Sequence, residues 1–246
     1  MLRKSLNRRL FTRKAISYGE LIKNYNFPLK IIRSKRNKRA ILSISCVERA
    51  ARLSVPLNLS AIEAKYLVDA HADRIEEKLL SLGKISEIKP GIVLPFFGLN
   101  KKLLIDKNLD FEFQVQKNFI RFPQSDNKTF NEQVKDFLKK TASNFFSKSC
   151  DTYAAELKTS YIKVNVRDPK TRWGSCSSQG NLMFSWRLIM APIEISDYVA
   201  AHEVCHLLHL DHGLKFWNKV QAVCPNYKEH RSWLRENGKV LHNYLF

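Results

Sequence analysis

Several protein classes are excluded by what this sequence lacks. No apolar run approaches the roughly 20 residues that a membrane-spanning helix needs, so no membrane association is expected. No charged head, apolar middle and small-residue cleavage site stand at the N-terminus, so a secretory signal is not expected either. The five cysteines, at 46, 150, 176, 205 and 224, are odd in number and form no C-x-x-C pair. That pattern argues against a disulfide framework and against a zinc ribbon built on four thiolates. It suits thiols buried as small hydrophobes in a reducing, cytoplasmic compartment. Acidic residues are scarce at one end only. Residues 1–39 hold 13 Lys and Arg against the single acid Glu20, which is +12 of the chain's net +19.

Three readings of that basic arm stay open. Arg3, Lys4, Arg8, Arg9, Arg13 and Lys14, with a second cluster from Lys35 to Arg39, offer nucleic acid a salt-dependent grip on its phosphates. A solvated tail that aids solubility needs no partner at all. An organelle presequence is also Arg-rich and acid-poor.

What is present reads as a globular α+β protein. The 246 residues are 44% hydrophobic with a mean hydropathy of -0.32, enough for a real core. Beyond an arm at 1–28, residues 29–125 are rich in short strands. "RAILSISCVERAARLSVP" reads as two strands joined by a turn, and "GIVLPFFG", "KKLLID", "FEFQV" and "FIRFP" as a further run. One helix is expected among them, from Ser60 to Gly83, opened by a Ser60–Glu63 capping box. Polarity rises over 123–129, and 128–246 reads as a separate region. There Thr129 and Glu132 cap an amphipathic helix carrying Val134, Phe137, Leu138, Ala142, Phe145 and Phe146. "YIKVNV" and "LMFSWRLI" read as strands on either side of a long polar loop, "DPKTRWGSCSSQGN". Two short helices, separated by Pro225, close the chain.

Ahead of those helices lies "AAHEVCHLLHLDHGLKFW", which holds four of the seven histidines. His202, Glu203 and His206 form H-E-x-x-H. Residues four apart on an α-helix differ by only about 40° around the axis, so both imidazoles face the same way and are able to grip one cation. Zn2+ takes nitrogen ligands at about 2.0–2.1 Å. Glu203, turned about 100° from His202, stands beside such an ion and is placed to take a proton from water rather than to ligate. With 7 His and 13 Glu in the chain, chance supplies about 0.01 such spacings. The readings without catalysis are a metal held for structure and a buried helix with satisfied histidines. Cys205, inside the motif, reads as buried packing.

A catalytic zinc needs a third protein ligand and one open position. His212 would sit about 240° round a continuous helix from His206, on the wrong side, so the helix must end near Leu210 and the chain must turn back. Asp211 and Gly213 suit such a turn. His209 is the rival: it shares the helix face, but its Cα is about 10.5 Å along the axis from that of His202. Glu229, His230 and Glu236 remain as downstream alternatives.

Five stretches resemble the YgjP-like metal-dependent hydrolases, a zincin-type metallopeptidase group related to the SprT-like and WLM proteases. They are "RWGSC" at 172–176, "WRLIMAP" at 186–192, "DYVAAHEVCHL" at 197–207, "HGLKFW" at 212–217 and "CPNYKEHRSWLRENG" at 224–238. The resemblance is firm over 160–240 and looser over 30–125, and the basic arm lies outside it. It implies a zincin-like catalytic domain whose H-E-x-x-H helix lies beside a small mixed β-sheet. It implies Zn2+ at His202, His206 and His212, Glu203 as general base, and a polypeptide substrate. The glycine that metzincins place three residues after the second histidine is replaced by His209, as in YgjP-like and WLM sequences.

Around that centre, Arg172 and Arg187 are candidate donors to a developing oxyanion. Trp186, with Trp173, is a candidate wall of the substrate cleft. The strand "LMFSWR" is expected to run past the metal and offer an edge on which an extended peptide adds as a strand. Phe216 and Trp217 are expected to pack under the third ligand. The competing function class is a nucleic-acid-associated protein of SprT-like type, in which the basic arm 1–39 binds DNA and proteolysis is secondary. Oligomeric state has no signature in the sequence.

Overall fold

The computed structural model describes residues 17–45, 48–110 and 112–246. The chain divides between Leu82 and Gly83 into two compact units. The polar stretch at 123–129 lies inside the second unit, in the connection leading to its longest helix.

The first unit contains α1 (Tyr18–Lys23), β1 (Leu29–Arg33), β2 (Ile41–Ser45), β3 (Ala50–Val55), α2 (Ala61–Asp69) and α3 (Ala72–Leu80). β3 is the middle strand, parallel to β1 and antiparallel to β2. Its Ala51, Leu53 and Val55 are fully buried, with Leu21, Phe27, Ala64, Val68 and Ile75 completing the core. The Ser60–Glu63 capping box forms in both directions. The single helix expected from Ser60 to Gly83 is two helices. They part at His71, whose φ of -131° leaves the helical region, after Ala70 N–H has tightened the last turn of α2 onto Val68 and Tyr66. The apolar repeat marks which face is buried and is blind to such a break. Between β1 and β2, Lys35, Arg36, Lys38 and Arg39 are exposed. The rest of the basic arm, residues 1–16, and Cys46 lie outside the described residues.

The second unit opens with β4 (Ser86–Glu87), β5 (Val93–Phe96), β6 (Leu99–Asp106), β7 (Gln114–Val115) and β8 (Phe119–Pro123). The last four form a sheet in the order β5-β6-β8-β7. α4 (Phe130–Glu156) follows, 27 residues long, with its Thr129–Glu132 box closed in both directions. It buries Val134, Phe137, Leu138, Ala142, Phe146, Cys150 and Tyr153, a stripe at helical spacing. Phe145 falls at the margin of that stripe and is half-buried.

Beyond α4 come β9 (Lys163–Arg167), β10 (Gly174–Cys176) and β11 (Asn181–Ser185), a small mixed sheet. β11 is central, parallel to β9 and antiparallel to β10. Two expectations are corrected here. The polar loop of 168–181 contains a strand, β10. The strand expected over "LMFSWRLI" stops at Ser185, and Trp186–Met190 is a 3-10 helix. Among the described residues β11 is paired on both sides, so the edges of this sheet are β9 and β10, and β10 is the one that packs beside the H-E-x-x-H segment.

The unit finishes with α5 (Ile193–Cys205), α6 (Leu214–Val223), α7 (Tyr227–Asn237), a second 3-10 helix (Gly238–Asn243) and β12 (Tyr244–Leu245), which pairs with β4. α5 is the pillar of the core. Ile195, Ser196, Tyr198 through Ala201 and Glu203 through Cys205 are all buried. Phe146 of α4 stacks on Phe184 of β11 at 4.3 Å and 5°, in the same core. The result is an α+β fold with the H-E-x-x-H helix set against a small mixed sheet. Among the described residues, no helix is long and apolar enough to cross a membrane.

Candidate metal centre

His202 lies in the last turn of α5 and His206 is the residue that ends it. The helix stops earlier than the Leu210 expected from sequence. Leu207, Leu208 and His209 N–H groups bond to the Val204 and Cys205 carbonyls, a tight turn rather than further α-helix. The chain then reverses. Asp211 Oδ1 accepts the Gly213 N–H at 2.7 Å, and Gly213 becomes the first flanking residue of α6. A Cβ on Gly213 would stand 2.7 Å from that same oxygen, so a side chain there would push the Asp211 carboxylate off its bond.

This reversal swings His212 over the other two rings. The ring centroids are 4.9 Å apart for His202–His206, 5.1 Å for His202–His212 and 4.6 Å for His206–His212. One ligand nitrogen from each lies within 4.8 Å of the others, the one group of three among the described residues whose geometry is able to hold a metal ion. Tetrahedral bonds of about 2.0–2.1 Å space two ligands roughly 3.3 Å apart. The His202 and His212 Nε2 atoms, 3.1 Å apart, have that spacing. Three imidazoles converging this closely fit a borderline-soft divalent cation.

The rings are held by what surrounds them. His206 Nδ1 lies 2.9 Å from the His209 carbonyl, so it carries the proton and Nε2 keeps its lone pair for a cation. His209, the rival third ligand, thus enters through its backbone. Phe216 is fully buried and touches all three rings, stacked on His206 at 4.3 Å and edge-on to His202 and His212. Trp217 packs against His202 and His212 from the same helix and stacks on Tyr227. His202 Nδ1 is buried without a hydrogen-bond partner, so contacts with Tyr198, Phe216 and Trp217 orient that ring. Burial, with His206 and His212 beside it, holds the His202 pKa down at about 3, and burial lowers that of His206 as well. A neutral imidazole is the form that ligates. Of the downstream alternatives, His230 Nδ1 faces Cys224 Sγ at 3.6 Å, Glu236 accepts from Ser232, and Glu229 is exposed.

Glu203 is 6% exposed and is walled by β10. A Cβ on Gly174 would stand 2.5 Å from Glu203 Oε1 and 2.6 Å from its Cγ. The bare backbone of Gly174 is therefore what makes space for the carboxylate. Without a cation on the histidines, burial pushes the Glu203 carboxyl up to about 8, with Arg172 pulling the other way; a dication held there would favour the carboxylate, the form that acts as a base. The role of Gly174 escapes sequence reading because its signal is a missing side chain in a polar loop.

The other candidates separate. Arg172 is exposed, close enough for Glu203 to feel its charge. Arg187 is corrected as a substrate contact. Its Nε and Nη2 grip Asp168 at 2.7 and 3.1 Å, and its Nη1 donates to the Leu241 and Tyr244 carbonyls, each at 3.0 Å. That clamp ties the C-terminal segment to Asp168, next after β9, and engages every nitrogen of the guanidinium. Trp186 is corrected too: it is wholly buried, between Arg187 and the ring of Phe246, and cannot line a cleft. Trp173 is half-buried against His242 and Gly238. The thiols of Cys205 and Cys176 are pushed up to about 12 and about 11 by burial, so both stay protonated at neutral pH.

The YgjP-like, metallopeptidase domain family matches residues 38–237. No curated protein matches the chain. Two solved archaeal structures are similar to parts of it. The metallopeptidase zymogen abylysin of Pyrococcus abyssi shares 21% identity over 38% of this chain and 95% of its own, with a TM-score of 0.35. The metallopeptidase zymogen jannalysin of Methanocaldococcus jannaschii shares 17% over 37% and 94%, with a TM-score of 0.34.

Proposed function

The chain belongs to the YgjP-like metallopeptidase family, and on that premise we propose that it is a zinc peptidase of the HExxH-x5-H type, with Zn2+ held by His202, His206 and His212 and Glu203 as general base. The observation that carries this reading is the convergence of three ring nitrogens within 4.8 Å beside a buried carboxylate. Three imidazoles with one open position are the donor set of a catalytic rather than a structural zinc. When bound there, the ion supplies Lewis acidity, acidifying water and polarising a carbonyl.

The chain's own groups do the rest. A Glu203 oxygen takes the proton from the attacking water and returns it to the leaving amine. Gly174 keeps that carboxylate in position by leaving its space empty. The free edge of β10 presents backbone donors and acceptors on which an extended polypeptide is able to add as a strand. The test is cleavage of a denatured protein by the zinc-loaded full chain beside its Glu203→Gln variant, with zinc measured in both. Cleavage by the wild type alone, at equal zinc content, supports the reading. Equal rates would remove Glu203 as the base.

A second reading, docking on nucleic acid, draws support from the exposed Lys35, Arg36, Lys38 and Arg39 in one loop. Neutralising several phosphates makes affinity fall steeply with salt. A DNA titration at rising salt, with the full chain and with Lys35, Arg36, Lys38 and Arg39 all replaced by Gln, should then show a slope that flattens in the variant. An unchanged slope contradicts it.

A further inference from the structure

The β9–β11 sheet has a second face. Side chains alternate across a strand, so the face on which Gly174 meets Glu203 also carries Phe184 and Val166, its partners in register. The opposite face carries Ser175, Met183 and Asn165, again in register, and Arg167 at the end of β9. There the structure forms a cleft of about 810 Å3 that takes in these residues together with Asp168 and Arg172. The cleft opens on the sheet face opposite Glu203, although Arg172 at its border is close enough for Glu203 to feel its charge.

The charge of this cleft is unbalanced. Asp168 is the one acid that lines it, and both of its oxygens are held by Arg187. Arg167 and Arg172 are exposed and have no hydrogen-bond or ion-pair partner among the described residues. Two guanidiniums thus face one cleft with their forks unused, a geometry matched to a carboxylate. Arg172 is two residues before Gly174, the first residue of β10. A peptide added along the free edge of β10 turns every second side chain toward this face.

We infer that the cleft bounded by Arg167 and Arg172 is a subsite that selects an acidic side chain, Glu or Asp, of the polypeptide substrate. The inference rests on the peptidase reading for the path of the peptide. An acidic peptide fits better than nucleic acid for two reasons. The adjoining β10 edge pairs with a polypeptide backbone and not with a sugar–phosphate chain, and Met183, on the cleft face of β11, suits an aliphatic stem.

Binding and cleavage test it separately. Two fluorescein-labelled pools of degenerate short peptides are used, one rich in Glu and Asp, the other in Gln and Asn. Anisotropy with the full-length, zinc-loaded Glu203→Gln chain should show the acidic pool binding about tenfold more tightly. Adding Arg167→Glu or Arg172→Glu should cut that preference to about twofold or less, whereas Lys35→Glu, the same charge change in the first unit, should leave it intact. Equal binding of the two pools overturns the inference. So does a loss with Lys35→Glu as large as with Arg167→Glu, which would mark bulk charge. Displacement of the acidic pool by single-stranded DNA, at lower concentration and through the same arginines, overturns it in favour of a phosphate site. Wild-type cleavage of the pools reads the peptidase proposal by itself. Cleavage with equal binding removes only the subsite, and arginine-dependent binding without cleavage removes only the peptidase.

Discussion

Glu203 sits between two walls of opposite character. On one side is α5, whose histidines are spaced for a cation; on the other is β10, three residues long, inside a stretch that reads as polar loop. The helix contributes groups, and the strand contributes the lack of one. A local spacing rule is enough to see what α5 does. What β10 does exists only after folding, when the missing Cβ of Gly174 lines up with a carboxylate 29 positions further along the chain. A centre of this kind depends as much on the space reserved for a base as on the base.

That comparison breaks most severely at the helix. Glu203→Gln should lower kcat by about 10³-fold while zinc content stays at the wild-type level, because the amide takes no proton. Loss of zinc in this variant would show Glu203 acting as a ligand instead. Gly174→Ala tests the other wall. A methyl at 2.5–2.8 Å from Glu203 must displace the carboxylate, so kcat should fall by about 10²-fold with zinc retained and KM little changed. An alanine variant with full kcat would contradict the positioning role.

Further from the centre the effects become structural. Arg187→Met should cost about 3 kcal/mol, a fall in Tm of about 8 °C, because Asp168, the buried Leu241 carbonyl and the part-buried Tyr244 carbonyl lose their partner. Its zinc content should not change; a variant of normal Tm that had lost only kcat would return Arg187 to the substrate. Thr129→Ala, which opens the capping box of α4, should cost about 1 kcal/mol, or about 3 °C, with activity unaltered.

The legible parts of the molecule are those written in short-range periodicity. The α4 stripe, both capping boxes and the paired strands β2 and β3 follow from residue types three to five positions apart. So does the pairing of His202 with His206. The residues alone left His212 beside His209, Glu229, His230 and Glu236, and the family resemblance is what pointed to it; the helix ends sooner than the expected Leu210, at the ring-to-carbonyl bond between His206 and His209. The illegible parts were decided at long range. "LMFSWRLI" is apolar without a clear period, and its second half becomes a 3-10 helix where Arg187 finds carbonyls 54 and 57 residues downstream. Trp186 is buried by that same clamp and by Phe246 at the end of the chain. The break at His71 left no trace in the apolar repeat.

The central claim is that a cation is clasped by His202, His206 and His212. Metal content of the purified full chain tests it most directly, read beside His209→Ala and His212→Ala. One zinc per chain in the wild type and in His209→Ala, with loss from His212→Ala, is the result this structure predicts. A wild type without zinc after reloading, or zinc lost from His209→Ala and kept by His212→Ala, would contradict it.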